Sequence, residues 1–324
     1  MKTAAKRVLR QIGFEIHKAL PPNILKLHFD VARSRIDAAA VVRKAGGSDT
    51  LGRFREIVMD PLNLLIQRVP NSGMIDGEAV ILHNGLRAGI LGNHAYYGPF
   101  SVILVINRGV HEPLQEFVFQ ELLSRLPADP IMIELGAYWA HYSMWMKHAK
   151  PCSQVFMLEP NAEYLNVGRR NFTINSLAGH FIEAFVGRDH WCVDRFLREA
   201  TFARLNVLLA DIEGYESEML EGAQRAIANT AVDYFLISTH SETLHRTVID
   251  QLRQGNYRIE VDSNFAQHTT SCDGFVFASS PNATKIFSSF HPLGRTELMR
   301  YNPDALIAYL NEVSVHYNHG GRCK

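Results

Sequence analysis

The sequence predicts an α/β fold in which a mostly parallel, seven-stranded sheet carries helices on both faces and follows an N-terminal extension of helices and β-hairpins. Strand-like and helix-like segments alternate from residue 111 onward, as parallel strands joined by crossover helices require. The last two strand-like runs are joined by a polar loop too short for a crossover helix, so the seventh strand is expected to return antiparallel. Before residue 110 the pattern is helical and then breaks into short β-type runs punctuated by Asn84-Gly85 and Gly92-Asn93.

Residues 1–110 are read as an accessory region. The opening stretch MKTAAKRVLRQIGFEIHKAL sets Val8, Leu9, Ile12 and Ile16 at helical spacing among Lys2, Lys6, Arg7 and Arg10, without the compact apolar core of a signal peptide. A helix docked on the body is preferred over one lying on a membrane surface. Helical character continues from about residue 20 to 70, with RSRIDAAAVVRKAGG closing on Gly46 and Gly47. AVILHNG, LRAGILGN and FSVILVINRG then read as three β-runs.

The sheet domain is expected over residues 111–280. EPLQEFVFQELLSRL places Leu114, Phe117, Val118, Leu122 and Leu123 on one helical face. IMIEL is the first strand, followed by a helix through Tyr142 to His148, and QVFMLEP is the second. AEYLNVGRRNFTIN is helical, HFIEAFVG is the third strand and RLNVLLADIEG the fourth. SEMLEGAQRAIAN reads as one helix, VDYFLISTH as the fifth strand, and TLHRTVIDQLRQGN as a helix stopped at Gly255. YRIEV and GFVFAS are strands six and seven, an ending that favours a methyltransferase-like sheet over a plain dehydrogenase sheet. Residues 281–324 form a C-terminal extension, irregular and then helical through ALIAYLNEV, with HYNHGGRCK expected to be loose.

Composition narrows the partners. The chain has 324 residues, is 47% hydrophobic, and balances 33 basic against 33 acidic side chains, so nothing global draws it to nucleic acid. Cys152, Cys192, Cys272 and Cys323 are scattered without metal-ligand spacing, which fits a reducing cytoplasm. No apolar run approaches the roughly 20 residues of a transmembrane segment.

Ligands of open α/β sheets sit beyond the carboxyl ends of the strands, near the switch in strand order. After the first strand, Gly136 allows a tight turn, and Glu134 is placed to accept from a turn amide or a cationic amino group. Tyr138 and Ala140 occupy positions where a pyrophosphate needs bare backbone, which disfavours a diphosphate cofactor. After the second strand, Glu159 is placed to grip a ribose diol, Pro160 turns the chain, and Asn161 caps the next helix. The competing reading of Glu159 is an exposed strand-end carboxylate.

After the fourth strand come Asp211, Glu213 and Glu216, able to hold a divalent cation, orient a hydroxyl or supply a base. For the two glutamates, charging the start of the next helix competes evenly. After the fifth strand, His240 is a proton acceptor or metal ligand, whereas His245 reads as a surface residue. Core packing is preferred for Trp145.

These words, in this order, resemble the FkbM family of S-adenosylmethionine-dependent methyltransferases. IELGAYWAHYS stands where that family reads a variant of DVGANxGxYS, and VFMLEPN, NFTIN, EAFVG, LLADIEGYESEMLEGA and ISTHSE follow over residues 111 to 280. The resemblance implies a class I, Rossmann-like methyltransferase sheet. It implies that Glu134 and Gly136, with Ala137 and Tyr138 in the same turn, line the methionine end of the cofactor. Glu159 beside Pro160 would bind the ribose, Asn161 would lie near the adenosine, and Asp211 would face the sulfonium and acceptor. Tyr138 and Ala140 depart from the family's asparagine and glycine, and Ser238 stands where an acid is usual two residues before His240.

The expected chemistry is O-methylation of a small molecule or a glycan sugar. His240 or Asp211 is the base, or the two hold a divalent cation with Glu213; His141 is a reserve base. Tyr138, Trp139 and Tyr142 are candidates to cover the sulfonium or face the acceptor. The N-terminal region, with His94, Tyr96 and Tyr97, is a candidate lid or dimer surface, so a homo-oligomer is open. A nucleic-acid methyltransferase and a catalytically impaired cofactor-binding scaffold are the alternatives.

Overall fold

The computed structural model describes residues 50–90, 101–264, 270, 273–288, 290–298 and 300–318. Leu51–Lys324 form one compact unit. The readings made for residues 1–49, for Gly92-Asn93, and for His94, Tyr96 and Tyr97 lie outside the described residues.

Two sheets are present among these residues. Strands β1 (Ile75–Asp76), β2 (Ala79–Ile81) and β3 (Arg87–Gly89) form a small antiparallel sheet. The main sheet contains β4 (Ile131–Leu135), β5 (Gln154–Leu158), β6 (His180–Ile182), β7 (Leu205–Ala210), β8 (Val232–Thr239), β9 (Arg258–Ser263) and β10 (Gly274–Ser279). Its spatial order is β6-β5-β4-β7-β8-β10-β9. β4 pairs parallel with β5 and β7, and β10 lies antiparallel between β8 and β9. Every residue of β8 and β10 is buried, as strands covered on both faces must be. The antiparallel seventh strand inserted between the fifth and sixth is the strand order of the Rossmann-like methyltransferase fold. The order reverses at β4, so the carboxyl ends of β4 and β7 flank the crevice where a ligand belongs.

Several elements differ from the sequence expectations. FSVILVINRG does not form a third β-run: Val102–Ile106 is a short helix with Ile103 and Leu104 fully buried. A continuous apolar run lacks the alternation that separates a strand from a buried helix. The turn at Asn84-Gly85 does join β2 to β3, with Gly85 at φ 88°. SEMLEGAQRAIAN is two helices, Glu216–Glu221 and Gln224–Ala228. The break is built by Asp194, whose carboxylate accepts from the amides of Arg225 and Ala226 at 2.9 and 2.8 Å and so caps the second helix. Asp194 lies on the crossover helix Val193–Glu199, which the sequence pattern did not single out.

Helix Glu242–Gln254 stops with Asn256, not Gly255, in the left-handed region at φ 63°. Gly255 is needed for space, since a Cβ there would stand 2.1 Å from Cγ2 of Ile227. The last helix runs Pro303–Asn318, beyond ALIAYLNEV and into the stretch read as loose. Among the described residues no helix is long and apolar enough to cross a membrane.

His245, read as a surface residue, is buried. It follows the same helical face as Val248, Ile249 and Leu252, which turns toward the sheet. Its Nδ1 meets Thr239 Oγ1 at 2.8 Å and its Nε2 meets Asp262 Oδ1 at 2.9 Å. A leucine at 245 would strand the Thr239 hydroxyl in the core, so His245→Leu is expected to cost about 1–3 kcal/mol in urea unfolding. A change within about 0.5 kcal/mol would remove this structural role.

The antiparallel β1–β3 layer is tied to the main domain by two asparagines of the NFTIN motif, Asn171 in the last turn of helix Ala162–Ile174 and Asn175 at its C-cap. Asn175 Oδ1 accepts from Arg87 N at 2.8 Å and its Nδ2 donates to Arg87 O at 2.7 Å. Asn171 Oδ1 accepts from Gly89 N at 3.1 Å while its Nδ2 donates to Trp139 O at 3.0 Å.

Candidate active site

The turn after β4 is shaped by close backbone approach. Gly136 has φ 72°, and a Cβ on it would stand 1.7 Å from the carbonyl oxygen of Asp211. The glycine therefore sets how closely the tips of β4 and β7 lie, and Asp211 N donates to Leu135 O at 3.0 Å across the same gap. Ala137 N donates to Leu158 O, fixing the turn to β5 as well. Tyr138 at φ 39° and Ala140 at φ 59° are both left-handed, the conformation that explains why glycine suits this loop. Gly168 makes room for it, since a Cβ there would stand 2.9 Å from Tyr138 O and 3.1 Å from Ala140 Cβ.

Of the two partners expected for Glu134, the structure supplies turn amides. Its carboxylate accepts from Ser143 N at 2.8 Å and Tyr142 N at 3.4 Å, at the start of helix His141–Ala149. Burial raises its pKa to about 7, offset in part by the Ser143 hydrogen bonds and reinforced by the charge of Asp211. Glu159, at the tip of β5, accepts from Asn161 N at 3.0 Å; burial raises its pKa and the charge of Asp211 adds to the rise. Asn161 Oδ1 accepts from Glu163 N and Tyr164 N, the cap expected of it. Pro160, between Glu159 and Asn161, is exposed. The three strand-tip carboxylates Glu134, Glu159 and Asp211 thus share one electrostatic neighbourhood.

His240 is the hub of the opposite wall. Its Nδ1 meets Glu216 Oε1 at 2.7 Å; its Nε2 lies 3.2 Å from Asp211 Oδ1 and 3.7 Å from both Glu213 Oε2 and Asp273 Oδ1. Burial lowers the pKa of the imidazole, but the hydrogen bonds to Asp211 and Glu216 and the charge of Asp273 outweigh it and raise the value to about 11. The carboxylates around His240 thus favour the charged form of its ring. Burial, with the charge of Asp211, pushes Asp273 up to about 7, against the lowering effect of His240; burial also raises Asp211.

Asp211, His240 and Asp273 each present a ligand atom within 4.8 Å of the others. Glu213, the third metal ligand expected from sequence, has a side chain 78% exposed. Glu216 is fully buried and, besides heading its helix, accepts from Gly214 N at 3.2 Å.

Asp273 and Glu112 are the site residues that sequence reasoning missed. Asp273 precedes β10, and the antiparallel return brings it back beside the carboxyl end of β8. Glu112, before helix Pro113–Leu123, is close enough for its charge to raise the pKa of both Asp211 and Asp273. A small cleft opens beside them, lined by Glu112, Gln115, Ser238, Asp273 and Phe275 among others. Ser238 Oγ accepts from Gln115 Nε2 at 3.0 Å there.

Of the aromatics proposed to cover a ligand, only Tyr138 is partly exposed, packed on Tyr164 with ring centroids 4.6 Å apart. Trp139 and Tyr142 are buried, and Trp139 stacks on His141 at 4.6 Å. Trp145 is buried as expected. His141 joins a second, interior group with His83, His111 and Glu116, and burial lowers its pKa to about 4. His111 Nδ1 lies 2.7 Å from Glu116 Oε1 and its Nε2 lies 3.3 Å from Glu112 Oε2. Burial opposes its charge, but the two glutamates raise its pKa to about 10. Tyr142 Oη donates to Glu112 Oε2 at 3.0 Å.

No protein-family model matches the sequence, and no curated protein matches it. Among solved structures the chain is similar to the precorrin-6y C5,15-methyltransferase of Geobacter metallireducens, at 17% identity over 52% of this chain and 87% of that one, TM-score 0.39. It is also similar to M. capricolum TrmK in complex with S-adenosylhomocysteine, at 14% identity over 61% and 83%, TM-score 0.37. A SAM-dependent methyltransferase from Agrobacterium tumefaciens matches at 11% identity over 64% and 72%, TM-score 0.43. The fold of S-adenosylmethionine-dependent methyltransferases is defined here by the strand order itself.

Proposed function

We propose that this chain is an S-adenosylmethionine-dependent methyltransferase that methylates a hydroxyl of a small molecule or sugar. The observation that carries the reading is the convergence of Glu159, Asp211, His240 and Asp273 on the crevice beside the Gly136 turn. The FkbM-like order of the sequence motifs supports the same class and favours an oxygen acceptor.

When bound, the cofactor supplies an electrophilic methyl carbon; attack by the acceptor oxygen breaks the carbon–sulfur bond, and the electron pair leaves with the sulfur. Glu159 is assigned to the ribose hydroxyls, and Asp211 to the face where sulfonium and acceptor meet. The acceptor proton passes to a carboxylate, Asp273 or Asp211. His240, 3.2 Å from Asp211 and 3.7 Å from Asp273, orients that pair.

A divalent cation is a second reading, favoured by the grouping of Asp211, His240 and Asp273. Those residues would hold it, and it would acidify the acceptor hydroxyl.

Calorimetric titration with S-adenosylmethionine tests the class. The wild-type chain is expected to bind, and Glu159→Gln to bind about 10- to 100-fold more weakly through loss of charged hydrogen bonds. No binding by the wild-type chain would favour the scaffold alternative, and unchanged affinity in Glu159→Gln would take the ribose away from Glu159.

A further inference from the structure

The interior group around Glu116 has no part in the proposed methyl transfer, and its geometry calls for another explanation. Three elements contribute to it: His83 from the turn between β2 and β3, Glu116 from helix Pro113–Leu123, and His141 from the first position of helix His141–Ala149. Their side chains are 1%, 0% and 1% exposed.

The two carboxylate oxygens of Glu116 are used differently. Oε1 accepts from the amides of His111 and Glu112 at 2.8 and 3.1 Å. Oε2 faces the two other histidines, 3.1 Å from His83 Nε2 and 3.8 Å from His141 Nε2. No hydrogen bond of acceptable geometry joins these atoms, and neither ring nitrogen of His141 has a hydrogen-bond partner. His83 Nδ1 sits 3.4 Å from the carbonyl oxygen of Gln67. A proton on Nδ1 donated to that carbonyl leaves Nε2 available as a ligand atom, the arrangement in which an outer carbonyl orients a metal-bound imidazole. Buried polar atoms left without a hydrogen-bond partner are costly, and a cation held among them removes that cost.

We propose that His83, Glu116 and His141 bind a divalent transition-metal ion, zinc by the character of the donors. One ligand atom from each residue lies within 4.8 Å of the others. Donors about 2.0–2.2 Å from a tetrahedral zinc ion stand roughly 3.3–3.6 Å apart. The spacings of 3.1 and 3.8 Å from Glu116 bracket that range. Two imidazoles and one carboxylate suit zinc or cobalt better than the oxygen-seeking magnesium or calcium. Full burial makes the role of the ion structural, since it clips the β2–β3 turn to the two helices that flank β4.

The full-length chain purified from zinc-supplemented medium is expected to retain about one zinc per chain after gel filtration, read by elemental mass spectrometry. His83→Gln and His141→Ala are each expected to lower that content at least about 10-fold, while Asp211→Asn and His240→Ala leave it unchanged. Cobalt added to the zinc-stripped protein should give the visible absorption of a low-coordinate site, and Glu116→Gln should abolish it. Should the histidine variants fail to fold, the cobalt spectrum of the wild-type chain and its loss in Glu116→Gln decide the matter. Absence of both retained zinc and a cobalt spectrum overturns the proposal, as does loss of the metal in Asp211→Asn but not in His141→Ala. Metal content is read without cofactor or acceptor, so failure here is distinct from failure of the methyltransferase reading.

Discussion

Asp211→Asn and His240→Ala are each expected to reduce turnover about 10²- to 10⁴-fold, the span by which positioned proton transfer accelerates reactions. Asparagine keeps the shape of Asp211 but removes the charge that pairs with His240 Nε2 at 3.2 Å and the basicity available to an acceptor proton. Alanine at 240 acts differently. It leaves Glu216, fully buried, without its 2.7 Å partner, and leaves Asp211 and Asp273 to repel one another. Breaking a buried ion pair costs about 3–5 kcal/mol, so that variant should also melt earlier, whereas Asp211→Asn should stay close to wild type. Single-turnover assays with the physiological acceptor, run beside thermal melts, separate the two effects. Normal turnover in both variants would end the assignment of this wall to catalysis.

A loss of stability of similar size is expected from Gly136→Ala. An alanine at φ 72° pays about 1–2 kcal/mol for left-handed backbone. Its methyl group must also push back the Asp211 carbonyl, which stands 1.7 Å from the Cβ position, and overpacking of that kind adds about 1–3 kcal/mol. A total loss of roughly 2–5 kcal/mol should appear as a lower urea midpoint. Because the clash moves the tip of β7, cofactor affinity should fall with it. An unfolding free energy within about 1 kcal/mol of wild type would show that the two strand tips separate easily.

The main sheet was readable in the sequence because its central strands are largely apolar and stand between clear helical patterns. IMIEL, VLLA and VDYFLIST leave little choice, and the polar loop before GFVFAS forced an antiparallel return. Asp211 and His240 were legible for the same reason: each directly follows a buried strand, and the fold brings those ends together. Asp273 was not legible, since it precedes its strand and reaches the crevice only because β10 runs backwards beside β8. Glu112 was hidden by its place before a helix, where an acid ordinarily serves only as a terminal charge.

The errors share a physical origin. Val102–Ile106 is an apolar run without a period, and a run of that kind is equally at home in a strand or a buried helix. His245 was read from its residue type, although its spacing with Val248, Ile249 and Leu252 already placed it on the inner face. Helix Pro113–Leu123 shows the converse: Gln115 and Glu116 lie off its apolar face but are buried by partners from distant parts of the chain. No local pattern announces that.

Asn171 and Asn175 grip β3 through main-chain atoms of Arg87 and Gly89 alone. A clasp of this kind reads backbone and not side chain: two amide groups hold the register of the strand against the helix, and the Arg87 guanidinium adds a side-chain tie to Ile174 O at 2.6 Å.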